Sequence, residues 1–174
     1  MNVAESSRGT HYRSMLSWRD ICENSRLQDL PFKIETNGFD QIVMSPRSNW
    51  RGGFQADIGA MLQTCLADGG IMTECAVETT DGIKVPDVVW VSNERLKPHR
   101  RASSMPIAPE ICVEIRSRSN SGVEIMGKMQ LYFARGAEEV WLCDEDGNMT
   151  FYRHDEAEAT TSKLCPDFPV KFEW

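Results

Sequence analysis

The chain has 174 residues, 19 Lys and Arg against 26 Asp and Glu for a formal charge of −7, 41% hydrophobic and 26% charged residues. That composition suits one folded domain with its own core and argues against wholesale disorder or a fibrous repeat. No run approaches the ~20 apolar residues of a bilayer span, and the first eight residues lack the apolar core of a signal peptide, so a cytoplasmic protein with no membrane partner is expected.

Residues 1–16 are polar and aperiodic, which predicts a flexible N-terminal segment ahead of a single domain over 17–174. Ser17 is the expected N-cap of a short helix with Trp18, Ile21 and Cys22 on one face. Phe32 and Ile34 then alternate with Lys33 and Glu35, and Asn37-Gly38 separates them from the run Phe39–Met44. Asn-Gly supplies the two positive-φ positions of a type I′ turn, so a hairpin is predicted. Phe54, Ile58, Met61, Leu62, Cys65 and Leu66 form the apolar stripe of a helix started by Ser48 or Asn49 and stopped by Gly69-Gly70. A second hairpin is expected from Ile71–Thr79 and Ile83–Val91 across Asp81-Gly82, with Pro86 marking a bulge, a kink or an edge-facing position.

Residues 92–109, with three prolines, read as a surface loop. Ile111–Ile115 is an apolar strand interrupted by Glu114, and Ile125, Met129, Tyr132 and Phe133 are the inward face of a second long helix ended by Gly136. Val140–Cys143 and Met149–Tyr152 flank Asp146-Gly147 as a final hairpin, and Phe168, Val170, Phe172 and Trp174 alternate as a strand does. Hairpins supply antiparallel pairs and a strand–helix–strand unit returns parallel, so this order predicts an α/β (α+β) fold around a mixed sheet.

The six cysteines are widely spaced without a CxxC pair, and only three histidines are present, which suits buried reduced thiols rather than a zinc clamp. Acidity is concentrated at the end: residues 138–174 hold ten acids and three bases, whereas residues 1–137 hold sixteen of each. Arg95, Lys97, His99, Arg100 and Arg101 form a local basic run, read by itself as a solvated loop.

An unpaired carboxylate at Glu114, inside a strand buried on both faces, costs several kcal/mol, so something compensates it. Arg116 is one answer and a bound cation the other. Asp87 offers a second carboxylate at a strand start, and two carboxylates on adjacent strand ends suit a hard divalent ion. Lys128 lies off the apolar face of its helix, within reach of both if that helix packs on the Glu114 strand.

Taken together, Glu35 with Gly38, Met44-Ser45-Pro46, Pro86-Asp87, Glu114-Ile115-Arg116-Ser117, Lys128 with Tyr132 and Gly136, and Glu139-Val140-Trp141-Leu142 resemble, in order and spacing, the Uma-type family of restriction endonucleases. That family is a branch of the PD-(D/E)xK nucleases. The resemblance implies a restriction-endonuclease-like fold with a central mixed sheet flanked by helices. It implies a magnesium- or manganese-dependent nuclease acting on DNA, with Asp87, Glu114 and the carbonyl of Ile115 as metal ligands. Lys128 would be the catalytic lysine, in place of the Arg116 that stands two residues after the glutamate, and Glu35 an auxiliary ligand or base. Arg51, Arg100, Arg101 and Arg116 would meet phosphates, and a homodimer is the expectation for two-strand cleavage. Trp50-Arg51 occupies the place where family members carry a histidine. Two other readings stay open: an inactive nucleic-acid-binding or regulatory protein on the same fold, and an acidic module that docks a basic protein.

Overall fold

The computed structural model describes residues 16–117, 121–154 and 156–172; of the segment expected to be flexible, all but Leu16 lies outside them. Helix α1 (Trp18–Glu23) starts with a reciprocal capping box, in which Ser17 Oγ accepts from the Asp20 N–H and the Asp20 carboxylate accepts from the Ser17 N–H. Strands β1 (Phe32–Thr36) and β2 (Ile42–Pro46) form an antiparallel two-stranded sheet in the register Phe32↔Pro46 to Thr36↔Ile42. The expected type I′ turn is replaced by a longer loop. Asn37 Oδ1 accepts from the backbone of Phe39 and of Gln41, both at 3.0 Å, and Asp40 takes the left-handed conformation with φ 58°. An asparagine side chain that mimics a backbone turn moves the reversal two residues on and leaves Phe39 exposed at the tip.

Helix α2 (Asn49–Cys65) buries Phe54, Ile58 and Leu62 and stops before the glycines that were expected to end it. Gly69 and Gly70 instead open strand β3 (Gly69–Thr73). A Cβ on Gly69 would stand 2.6 Å from both the Trp90 ring and the Val91 carbonyl oxygen, so only glycine allows this approach. The single hairpin expected over residues 71–91 is split. Strands β4 (Val77–Thr79) and β5 (Gly82–Lys84) pair with each other, whereas β3 pairs antiparallel with β6 (Val88–Ser92). Glu74, at φ 56°, and Pro86, which has no N–H, mark the two breaks.

The loop expected over 92–109 contains α3 (Asn93–Leu96) and a 3-10 turn at Lys97–His99. Strand β7 (Ile111–Ile115) is buried throughout, and α4 (Gly122–Ala134), capped by Ser121, ends before Gly136 at φ 94°. Strands β8 (Glu139–Cys143), β9 (Met149–Arg153) and β10 (Glu156–Ala159) follow. The central sheet has the order β10-β9-β8-β7-β6-β3 and is mixed: β7 and β8 run parallel across α4, and the other neighbours are antiparallel.

Strand alternation sends Val88, Val113 and Trp141 to one face, against Phe54, Ile58 and Leu62 of α2. It sends Val89, Cys112 and Val140 to the other, against Ile125, Met129 and Tyr132 of α4. The expected C-terminal strand is not formed among the described residues: Phe168 packs on Trp141 with ring centroids 4.6 Å apart, and Lys171 makes an isolated bridge to Asn148. Pro169 removes a donor that a ladder would need. All six cysteines are free thiols, four buried, but Cys22 is exposed and Cys65 half-buried, against expectation.

Candidate active site

Val88 pairs with Val113 across β6 and β7, so Asp87, just before β6, lies beside the end of β7 that carries Glu114 and Ile115. Pro86 ends the preceding strand, and Asp87 then joins the sheet through its own backbone, its N–H donating to the Val113 carbonyl at 2.9 Å. One carboxylate oxygen of Asp87, Oδ2, accepts from the Ile115 N–H at 2.7 Å, which leaves Oδ1 to face inward. Asp87 is 0% and Glu114 3% exposed.

Two buried carboxylates repel each other and lose water, so both need cations and donors. The first comes from β1. Its burial pattern is reversed relative to its hydropathy: Lys33 and Glu35 point inward, while Phe32 and Ile34 are half-exposed. Lys33 Nζ lies 2.9 Å from Asp87 Oδ1 and 3.5 Å from Glu114 Oε2. The second comes from α4, where Lys128 Nζ lies 2.7 Å from Glu35 Oε2 and 3.7 Å from Glu114 Oε1. Glu35 also accepts from the Val85 N–H at 2.8 Å. One turn further along α4, the Tyr132 hydroxyl donates to Glu114 Oε1 at 2.6 Å. At the rim, Arg51 Nη2 donates to the Ile115 carbonyl at 2.8 Å, and its buried Nε has no hydrogen-bond partner among the described residues.

Burial works against the charge of Glu114, but Lys128, Lys33 and the Tyr132 hydroxyl outweigh it and hold its pKa below the usual carboxylate value. Burial likewise opposes the charge of Lys33, and Glu114, Asp87 and Glu35 together hold its pKa above that of an ordinary lysine. The cluster therefore persists as a charged network, reached through a cavity of about 130 Å³ lined by Lys33, Arg47, Ser48, Arg51, Gln55 and Asp87.

A family model for Uma2, described as a putative restriction endonuclease, matches residues 28–170. The chain belongs to the Uma2 family. No curated protein matches it. Among solved structures, a putative nuclease belonging to DUF820 from Anabaena variabilis is similar, with a TM-score of 0.66 and 16% identity over 79% of this chain and 86% of that one. At that identity the likeness speaks for the fold, which is restriction-endonuclease-like: a central mixed sheet flanked by helices.

In this Uma2 chain the structure brings together Asp87, Glu114, Lys128 and Glu35, with Ile115 and Arg51 at the edge. It does not add the other three arginines. Arg116 is exposed beyond the end of β7, where its charge is felt by Asp144, and the partners found for Glu114 are Lys33, Lys128 and Tyr132. Arg100 and Arg101 are exposed on the walls of cavities bounded by α1 and by Glu78 or β3. Arg95, from the same basic run, is spent on the structure: it pairs with Glu110 at 3.1 Å and donates to the carbonyls of Ala108 and Gly136.

Sequence reasoning missed Lys33, and it placed Tyr132 in the core and in the family pattern without giving it a role at the site. Lys33 stands two residues before Glu35, so one strand face holding both was the available signal. Among the described residues no cluster of three His, Cys, Asp or Glu side chains is arranged to hold a metal. The donor set still fits a magnesium-like ion, which takes one or two carboxylates and completes its shell with water and substrate oxygens. One oxygen from each of Asp87 and Glu114 converges on a single cationic point, marked here by the Lys33 ammonium.

Proposed function

We propose that this chain is a magnesium- or manganese-dependent nuclease that hydrolyses phosphodiester bonds in DNA at the Asp87–Glu114 end of the sheet. The observation that supports it is the convergence of the buried Asp87 and Glu114 carboxylates on one ammonium, with the Lys128 ammonium beside Glu114 and a small cavity bordered by Asp87. Asp87 and Glu114 would hold the ion, with the Ile115 carbonyl as a third oxygen. When bound, such an ion supplies Lewis-acid polarisation of the phosphate and a water of lowered pKa.

The chain's own residues do the rest. The Ile115 N–H fixes Asp87, and Tyr132 fixes Glu114, so neither carboxylate has to reorganise. Glu35, itself anchored by the Val85 N–H, aims the Lys128 ammonium beside Glu114, where it donates to a water or to the charge developing on phosphate oxygens. A compact ammonium suits that role better than the delocalised guanidinium of Arg116. Arg51, on the cavity wall, offers the positive charge that a chain of net charge −7 needs against a polyanion, whereas Arg47 on the same wall is paired with Glu74 at 2.7 Å. Cleavage of both strands would call on a second copy, read by sedimentation in the presence of DNA.

One observation favours a second reading, a nucleic-acid-binding protein with a silent site: Lys33 already neutralises the carboxylates that the ion would use. Incubating supercoiled plasmid with wild type and Glu114→Gln, with magnesium or manganese, decides. Nicking or linearisation that Glu114→Gln lacks is the expected result. DNA binding with no cleavage under either ion would refute the nuclease and leave the silent site.

A further inference from the structure

The sequence and the family resemblance both direct attention to Lys128, yet the lysine closest to the Asp87 and Glu114 carboxylates is Lys33. Its Nζ is 2.9 Å from Asp87 Oδ1, against the 3.7 Å that separates Lys128 from Glu114. We propose that Lys33 is the resident counter-cation of the Asp87–Glu114 pair, that a divalent ion entering there must displace its ammonium, and that this lysine thereby sets the affinity of the site for metal. The inference rests on the metal-site reading above.

Three observations carry it. The Lys33 side chain is 6% exposed, so its charge sits there for the carboxylates and not for solvent. Both carboxylates direct one oxygen at the same ammonium, so the position that neutralises the pair is single. A magnesium-like ion holds oxygens at about 2.0–2.1 Å, well inside the 2.9 Å at which the ammonium rests, so ion and ammonium exclude each other both by volume and by charge.

The two lysines differ in what holds them. Lys128 has its own carboxylate in Glu35, at 2.7 Å, and stays in place when an ion takes Glu114. Lys33 has Asp87 and Glu114 as its partners, and it lines two spaces that can receive its head. One is the cavity of about 130 Å³ it shares with Arg47, Arg51 and Gln55, and the other, of about 440 Å³, is lined by Trp18, Ile21, Phe32 and Ile34. Because Lys33 and Glu35 sit at alternate positions on one face of β1, the lysine can turn away while the Glu35–Lys128 pair remains made.

The test measures manganese affinity by isothermal titration calorimetry on the full chain, for wild type, Lys33→Met and Lys128→Met. Methionine keeps the length and the apolar stem and removes the charge. Removing a competing cation should tighten binding at least tenfold in Lys33→Met, within the roughly 5–150-fold span of ordinary coupling between two ligands. Lys128→Met should move the affinity much less. A structural lysine predicts the opposite sign, since its loss would splay the carboxylates and weaken binding. Should Lys33→Met fail to fold, the wild type answers alone: acylation of Lys33, followed by mass spectrometry, should rise when manganese is added. Wild-type binding with Lys33→Met equal or weaker, or with Lys33 still protected at saturating manganese, overturns this inference and leaves the metal site standing. No binding by either protein overturns both.

Discussion

Tyr132→Phe isolates one contact of the candidate site without emptying any space. The ring is fully buried between β7 and α4 and stays; only the hydroxyl that donates to Glu114 Oε1 at 2.6 Å is lost. Hydrogen bonds to charged groups contribute about 1.5–3 kcal/mol. Glu114 keeps Lys33 at 3.5 Å and Lys128 at 3.7 Å, so the carboxylate is weakened in its support but not orphaned. The expected loss is therefore about 2 kcal/mol, or about 4–8 °C in Tm for a domain of this size. The sign with pH follows from the depressed pKa of Glu114. Its stabilising contribution is complete above the unfolded carboxylate value of about 4.3 and is lost as pH falls through the lower folded value. The gap between wild type and Tyr132→Phe should be full at pH 7 and narrow below about pH 4. Urea unfolding at both pH values measures it. A loss under about 0.5 kcal/mol at pH 7, or a gap that widens in acid, would show that the hydroxyl does not support an ionised Glu114.

Lys128→Ala should abolish plasmid cleavage while manganese binding persists, because the lysine sits on Glu35 and not between the ligand carboxylates; undiminished cleavage would return the role to Arg116. Arg51→Ala should lower the slope of log affinity for DNA against log salt by about one unit, with calcium replacing magnesium, as expected for one lost phosphate contact. The Arg100→Ala/Arg101→Ala pair should leave that slope unchanged, since neither arginine lines the cavity beside Asp87; a fall of about two units would place them on the DNA. Glu139→Ala should cost about 3 kcal/mol or more by chemical denaturation, because the 1% exposed carboxylate accepts from the backbones of Lys163 and Leu164 and from the Trp141 indole, all of which would lose their partner. A cost below 1 kcal/mol would mean water replaces it.

Glu114 was legible because a lone acid in an apolar strand has few explanations, whereas Asp87, an ordinary acid after a proline, stood out only as a second carboxylate beside it and through the ordered motifs of the family. Lys33 was not. A polar residue that alternates with Phe32 and Ile34 reads as the wet side of a half-buried strand, and only its ion pairs with residues 54 and 81 positions away turn that side inward. The division of residues 71–91 between two sheets was hidden for a related reason. The Asp81-Gly82 turn marks a hairpin correctly, but its extent is set by the left-handed Glu74 and by how closely Gly69 approaches Trp90, and both are tertiary matters. At the C-terminus the alternation of Phe168, Val170 and Phe172 misled: Phe168 is in the core and Phe172 packs against it, but Val170 is exposed and the backbone is not a strand.

The β1–β2 hairpin is a sheet of its own, joined to the rest of the molecule largely by what its inward face carries. A free two-stranded hairpin is marginal in water, so its resting place is decided by Lys33 on Asp87 and Glu114, Glu35 on Lys128 and the Val85 N–H, and Thr36 on Ile83 and Lys84. When the hairpin lifts, the carboxylates lose a counter-cation and Lys128 loses its anchor in the same event. Assembly of the site and docking of this one element are then a single equilibrium. Backbone amides of residues 32–46 should exchange with solvent as one cooperative unit, and an ion that displaces Lys33 from the carboxylates should quicken that exchange, not slow it.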